Sequence, residues 1–183
     1  MKKTIFALLT ILIVMTSCSK EVDLFLISKN NIGLLTDSTQ VKDLKTVFVN
    51  DSIVRKIAGD EFLGNVNEIK IFEKGGKPLL ELLPKEALDS TTTIGTVKII
   101  DPRFKTKTGI STLSTFSDIK QNHKISSIEN TMRNVIIFVD ENNTFFTISK
   151  EELPEELRYD EAKKIDEINI PDNAKIKYFM VRW

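Results

Sequence analysis

The chain has 183 residues, of which 41% are hydrophobic, and its 26 basic and 26 acidic side chains give no formal net charge. This length is enough for one ordinary domain or two small ones with a hydrophobic core. The absence of any excess of positive charge argues against nucleic-acid binding as the main role. Because Cys18 is the sole cysteine, an intramolecular disulfide is excluded.

The chain begins with MKKTIFALLTILIVMTSC, in which two lysines precede an apolar stretch over residues 5–15. A membrane-spanning helix needs about 20 apolar residues, so this shorter stretch indicates a signal peptide. Its end, MTSC, resembles the lipobox of bacterial lipoproteins. The resemblance implies cleavage between Ser17 and Cys18 and lipid attachment to the Cys18 sulfur. It predicts a signal peptide over 1–17 and a lipidated tether over 18–23. The alternatives for Cys18 are a free thiol and a buried core cysteine.

The residues after the cysteine, CSKEVD, resemble the signal that exports some lipoproteins of Bacteroidota to the cell surface. Together with the lipobox, the phrases DPRFKTKTGI and IPDNAKIKYFMVRW resemble small uncharacterised outer-membrane lipoproteins of Bacteroidota. This resemblance implies a lipid-anchored protein of the outer membrane, on its periplasmic side or at the cell surface. It implies no biochemical activity.

An internal repeat is the strongest feature after the signal. Gly33, Ser38 and Leu44 match Gly109, Ser114 and Ile119 when 32–48 is aligned with 108–124 with one gap. A second alignment with one gap matches 69–88 with 135–153, and 96–100 resembles 175–179. The pattern predicts a unit of about 75 residues used twice. The first copy is placed at 24–100 and the second at 101–183, with an acidic insertion over 154–173.

Each copy has a short stretch with helical spacing, at Val41, Leu44 and Phe48 in the first and at Phe116, Ile119 and His123 in the second. Hairpin turns are predicted at EKGGKP and DENN, since β-branched, aromatic and other apolar residues flank both. The predicted class is α+β, with two tandem units that are each a short helix packed on antiparallel β-strands.

Catalytic and metal sites have little support in the sequence. His123 is the sole histidine, and its place in the helical stripe corresponds to Phe48, which favours a packing role. A Ser-His-Asp assembly stays open, although the chain has no Gly-x-Ser-x-Gly motif. DENNTFFTISKE does not fit an EF-hand calcium loop, because Phe145 stands where a glycine is needed. No metal or cofactor is therefore predicted.

The stretch DPRFKTKTGISTLST is the best candidate for ligand contact, because Arg103, Lys105 and Lys107 precede a hydroxyl-rich turn. Residues 98–124 hold six basic and two acidic side chains, whereas 151–173 hold three and nine. The basic triplet therefore predicts anion or partner binding.

The sequence favours a non-enzymatic protein-interaction module, anchored in the lipid bilayer by acylated Cys18 and bound to another envelope protein. The alternative is a small-molecule or anion-binding envelope protein that uses the basic turn near residues 103–107. An enzyme is not predicted, since no catalytic constellation can be named.

Overall fold

The computed structural model describes residues 23–58, 66–139, 141 and 143–183. The predicted signal peptide and Cys18 lie outside the described residues. The strands are β1 (Leu26–Ile27), β2 (Asn31–Ile32), β3 (Leu35–Thr36), β4 (Ser52–Ala58), β5 (Val66–Phe72), β6 (Pro78–Pro84), β7 (Ile94–Ile99), β8 (Lys105–Thr106), β9 (Ile125–Asn130), β10 (Asn134–Val139), β11 (Thr144–Ser149) and β12 (Ile176–Arg182). The helices are α1 (Leu44–Val47) and α2 (Phe116–Asn122), and single 3-10 turns lie at Val41–Asp43, Lys150–Glu152, Glu155–Leu157 and Glu167–Asn169.

Eight of these strands form one antiparallel sheet in the order β4-β5-β6-β7-β12-β11-β10-β9. Strands β4 to β7 form one up-and-down meander and strands β9 to β12 form another. The two meanders join where β7 pairs with β12. The four short strands form a second sheet in the order β3-β2-β1-β8, in which β1 and β8 are parallel. Both halves of the chain thus contribute to both sheets.

The predicted α+β class is wrong, because the described part of the chain is mostly β. Its longest helix, α2, has seven residues, and α1 has four. The helical spacing covers only one or two turns in each copy, so each helix buries few side chains. Strand residues supply most of the core, and the molecule is not a tandem pair of helix-on-sheet units.

One face of the large sheet carries the hydrophobic core. A row of cross-strand neighbours shows this, since every member is at most 2% exposed. The row consists of Ile137, Phe146, Phe179, Ile99, Leu80 and Ile71. Burial of each such side chain contributes roughly 1.5–3 kcal/mol. A single cluster that includes this row extends from Ile27 to Val181.

The two short helices cover that face at matching places in the two halves. Gln40, just before α1, bridges Thr93 at the start of β7, and Thr115, just before α2, bridges Lys175 at the start of β12. Asp118 accepts a hydrogen bond from the Thr115 amide (2.7 Å), which satisfies a free donor at the start of α2. The helices therefore begin at fixed points on the sheet.

The predicted acidic insertion over 154–173 contributes apolar side chains to the core. Leu157, Ile165 and Ile170 are buried, while Ile168 and most of the acidic residues face solvent. The insertion also meets the edge strand β9, because Asn130 Nδ2 donates to the backbone carbonyls of Asp160 and Lys163 (2.9 and 2.8 Å). These bonds shield part of an otherwise open sheet edge.

Among the described residues, the structure has no helix that is both long and apolar enough to cross a membrane.

Candidate functional sites

The structure brings the three basic candidates of the sequence to one shallow groove beside the small sheet. Arg103, Lys105 and Lys107 all line this groove, which has a volume of about 540 Å³. Lys105 and Lys107 are exposed, and neither forms an ion pair with a described residue. Their ammonium groups are therefore accessible to a ligand.

Arg103 differs from these two lysines, because its guanidinium already forms ion pairs with two carboxylates. Nη1 and Nη2 donate to the Glu73 carboxylate at 2.9 and 3.0 Å, and Nη2 also donates to Asp101 Oδ2 at 2.8 Å. The guanidinium lies 4.5 Å from the ring centroid of Phe25. Lys77 reaches the same Asp101 oxygen at 2.8 Å. Arg103 thus links the β5–β6 hairpin, the segment between β7 and β8, and Phe25 just before β1.

The charges of this network perturb one another strongly. Burial alone would raise the pKa of the Asp101 carboxyl, which is wholly buried, but hydrogen bonds from Arg103 and Lys77 hold that pKa well below its usual range. The hydrogen bond from Arg103 likewise lowers the pKa of Glu73. The same two carboxylates raise the pKa of Arg103, so its guanidinium stays charged and paired with them. We therefore regard Arg103 as a structural residue, while anion binding by the triplet stays a prediction.

A second cavity, here called the polar cleft, lies where α2 ends beside the small sheet and the β10–β11 hairpin. Its volume is about 430 Å³. Its lining residues are Ile27, Ser28, Thr106, Lys107, Thr108, Asn122, His123 and Glu141. Seven of the eight side chains are polar, so the cleft offers hydrogen bonds rather than an apolar contact.

His123 lies at the wall of the polar cleft with 3% of its side chain exposed. Nδ1 is 3.1 Å from Glu141 Oε2, and Nε2 is 3.5 Å from Thr108 Oγ1. The Thr108 hydroxyl is also 2.9 Å from that of Thr106, which accepts a hydrogen bond from the Ile110 amide (3.0 Å). A chain of polar contacts therefore extends from Ile110 to Glu141.

Glu141 stays ionised in this arrangement. Its burial raises the pKa, but hydrogen bonds from His123 and from the Glu141 amide outweigh that effect, so the pKa lies below its ordinary value. An ionised carboxylate only accepts, so Nδ1 of His123 carries the proton of this hydrogen bond. In the neutral imidazole, Nε2 is then the nitrogen without a proton.

A third cavity, here called the apolar cleft, lies at the end of α1 and has a volume of about 200 Å³. Its lining includes Leu24, Ile32, Val47, Phe48 and Glu73. This cleft occupies in the first half the place that the polar cleft occupies in the second, between a helix end, a hairpin loop and the small sheet.

The face of the large sheet opposite the core forms a fourth candidate, here called the open face. Phe138, Phe145, Met180, Lys98 and Glu81 follow one another across its strands. Phe145 is buried, with 7% exposure, yet lies outside the core cluster, and its ring stacks on that of Phe138 at 5.6 Å between centroids. Along this row the open face is therefore apolar on β10, β11 and β12 and charged on β7 and β6.

Cations surround the aromatic rings of the open face. The Arg182 guanidinium lies 5.0 Å from the Phe145 centroid, and Lys98 and Lys177 lie 4.7 and 5.5 Å from that of Tyr178. Lys98 pairs with Glu81 at 2.7 Å, but neither Lys177 nor Arg182 forms an ion pair with a described residue. The apolar part of the open face thus has a positive rim.

No group of three or more histidine, cysteine or acidic side chains in the described part of the chain is arranged to hold a metal ion. The sequence predicts a packing role for His123 against the large sheet, and the burial of its side chain confirms this position. Sequence reasoning missed Thr108 and Glu141 as neighbours of His123, because they lie 15 and 18 residues away along the chain. The open face was not predicted either; the available signal was the uninterrupted apolar run VIIFV and the adjacent phenylalanines of TFFTIS, since consecutive apolar residues in a strand point to both faces of the sheet.

Comparison with known proteins identifies the fold and no family. No protein-family model matches the chain, and no curated protein matches it. Among solved structures, the crystal structure of the uncharacterized protein yfeY from Escherichia coli is similar, with a TM-score of 0.59 and 16% sequence identity. The match covers 86% of this chain and 99% of that one. At this level of identity, the likeness shows a shared fold alone.

Proposed function

We propose that the protein is a lipid-anchored envelope protein without enzymatic activity, which binds another envelope protein through its open face. The observation that carries the proposal is the stacked pair Phe138 and Phe145, which lies outside the core beside unpaired cations. Large aromatic side chains and arginine supply much of the binding energy at protein interfaces. The positive rim favours a partner that presents carboxylates around an apolar contact.

The anchor in this proposal is Cys18, at the outer membrane and facing either the periplasm or the cell surface. Four residues lie between Cys18 and Asp23, the first residue that the structure describes, so the chain takes five steps from one to the other. Even a fully extended chain covers at most about 3.6 Å per residue, so this tether spans roughly 18 Å. The folded part would therefore stay close to the membrane, where its partner is expected to be a membrane-associated protein.

Replacement of Cys18 by alanine tests the anchor. We expect Cys18→Ala protein to incorporate no labelled palmitate and to leave the membrane fraction, since two or three buried acyl chains are what hold a lipoprotein stably at a bilayer. Cell fractionation and labelling measure both effects, with Ser19→Ala as the control that keeps the acylated cysteine. Labelled, membrane-bound Cys18→Ala protein would show that the anchor is wrong.

Site-specific cross-linking tests the open face. A photoreactive amino acid at Met180, in the middle of the open face, is expected to cross-link one partner in intact cells. The same photoreactive amino acid in place of Val49, which is 76% exposed and lies outside the open face, provides the control. We expect the double variant Lys177→Glu, Arg182→Glu to weaken binding of that purified partner at least about tenfold.

The double variant Lys42→Glu, Lys45→Glu matches this charge change at two exposed lysines of the first half. It should bind the partner as the unmodified protein does. Equal cross-linking from positions 180 and 49, or equal loss in both double variants, would argue against the open face as the interface. No cross-link from position 180 in cells that hold abundant folded protein would reject the interaction role itself.

A further inference from the structure

The two halves of the molecule provide an internal comparison for the polar cleft. Gly33 and Gly109 both adopt positive φ, at 56° and 88°, and directly follow Ile32 and Thr108. The helices begin at the equivalent bridges of Gln40 and Thr115 described above. With the two halves aligned at these positions, three lining residues of the apolar cleft correspond to three of the polar cleft. The pairs are Ile32 with Thr108, Val47 with Asn122, and Phe48 with His123.

At all three places the first half has an apolar side chain and the second half a polar one. The first half thus shows that this fold can fill the position with Phe48 alone. Burial of a polar imidazole costs free energy unless hydrogen bonds compensate for it. Packing therefore does not require His123, and the hydrogen bond from His123 to Glu141 is additional chemistry that the second half alone possesses.

The second nitrogen of His123 is incompletely satisfied. Nε2 meets the Thr108 hydroxyl at 3.5 Å, the outer limit for a hydrogen bond, whereas Nδ1 is well bonded at 3.1 Å. The imidazole is more than nine-tenths buried and lines the polar cleft. Buried polar atoms in proteins nearly always have a good partner, so a poorly paired one at a cavity wall indicates a place for a ligand atom.

The charges at the cleft indicate the kind of ligand. Lys107 brings an ammonium group that forms no ion pair with a described residue, and Thr108 brings a hydroxyl. Glu141 is the one carboxylate among the lining residues, and its hydrogen bond to Nδ1 engages it. In the imidazolium form both ring nitrogens donate, Nδ1 to Glu141 and Nε2 into the cleft. Three donors, two of them cationic, then surround the same space.

We propose that the polar cleft binds a small molecule through an oxyanion group, a carboxylate or a phosphate. The oxyanion accepts hydrogen bonds from His123 Nε2, the Thr108 hydroxyl and Lys107. This site differs from the basic triplet of the sequence, since it uses neither Arg103 nor Lys105. It is also independent of the open face, so either proposal can fail without the other.

The sole histidine of the chain makes nuclear magnetic resonance the sharpest test, because one imidazole gives one set of signals. The experiment uses the full-length lipoprotein, purified without a histidine tag and labelled with ¹⁵N. We expect inorganic phosphate or acetate to move both imidazole nitrogen signals toward their imidazolium values, with a dissociation constant of about 1 mM or tighter. Sodium chloride at the same ionic strength should leave them unchanged.

Four variants make the test specific. Lys107→Gln and Thr108→Val should each weaken binding at least about fivefold, whereas Lys105→Gln, on the neighbouring groove, should change it less than about twofold. His123→Phe, which copies Phe48, should fold normally and lose the anion in a calorimetric titration. Folded His123→Phe protein that keeps its affinity would overturn the proposal.

A further titration with lipid nanodiscs distinguishes a soluble oxyanion from a lipid headgroup. Saturation by free phosphate or acetate assigns a soluble ligand, and a shift seen solely in discs of phosphatidylglycerol, compared with phosphatidylcholine, assigns a lipid headgroup. Both results support the cleft as an oxyanion site. Unchanged imidazole signals in all arms, up to about 50 mM anion, would reject it. An equal loss in Lys105→Gln and Lys107→Gln would reject it as well, since it would show nonspecific attraction.

Discussion

Gly33→Ala is expected to destabilise the protein by about 3 kcal/mol or more, whereas Gly109→Ala should cost about 1 to 2 kcal/mol. Both glycines have positive φ, so alanine is strained at either place. At Gly33, however, a Cβ would lie 2.2 Å from the carbonyl oxygen of Leu24, which is backbone and cannot rotate away. At Gly109 no heavy atom lies within 4 Å of the added carbon.

Urea unfolding of both variants, followed by circular dichroism, measures this difference. The two positions correspond in the repeat, so each variant is the control of the other, and the conformational cost of positive φ largely cancels. Equal loss of stability in the two variants would show that the first half can move β1 away from Gly33. It would then contradict the close packing of the small sheet at Leu24.

Arg103→Gln is expected to lower the free energy of unfolding by about 2 to 3 kcal/mol. Glutamine cannot replace the paired hydrogen bonds to Glu73 and Asp101, so the wholly buried carboxylate of Asp101 keeps Lys77 as its charged partner. The matched control is Lys120→Gln. Lys120 lies 2.6 Å from Asp172 in an exposed pair, and loss of such a pair typically costs less than about 1 kcal/mol.

The same network predicts a dependence on pH. The pKa of Asp101 is lower in the folded chain than its unfolded value near 4, so the stabilisation is present above about pH 4 and is lost as the pH falls toward the folded value. Glu73 acts in the same direction, since Arg103 lowers its pKa too. Asp101→Asn should therefore flatten the loss of stability below about pH 4. Parallel pH profiles of the two proteins would show that Asp101 does not control acid unfolding.

Short-range features of the fold could be predicted from the sequence. Both hairpins are confirmed, with turns that use Gly75 and Gly76 in the first and Asn143 in the second, all at positive φ. Turn chemistry and apolar alternation depend on neighbouring residues, so a single sequence shows them. The prediction of an α+β class was wrong for a local reason as well. The apolar spacing that starts at Val41 and at Phe116 indicates a helix but does not show how short that helix is.

The candidate sites were less predictable, because their residues meet through strand order. Arg103 looked like an anion ligand in the sequence, but Glu73, 30 residues earlier, and Asp101 occupy its guanidinium. His123 looked like a packing residue, and the structure adds Thr108 and Glu141 as contacts. Charge and spacing along the chain identify neither arrangement.

The sequence by itself determined the two hairpins and a few of the residues that face the core, since periodicity and turn chemistry act over a few residues, and it predicts the repeat. The prediction of lipid attachment at Cys18 likewise depends on a short local motif and not on the fold. The tertiary structure alone decided that β7 and β12 join the two halves into one sheet, that Arg103 is engaged, and that the second half has a polar cleft where the first is apolar. Each depends on residues far apart in the chain, whose contacts only the completed sheet brings together.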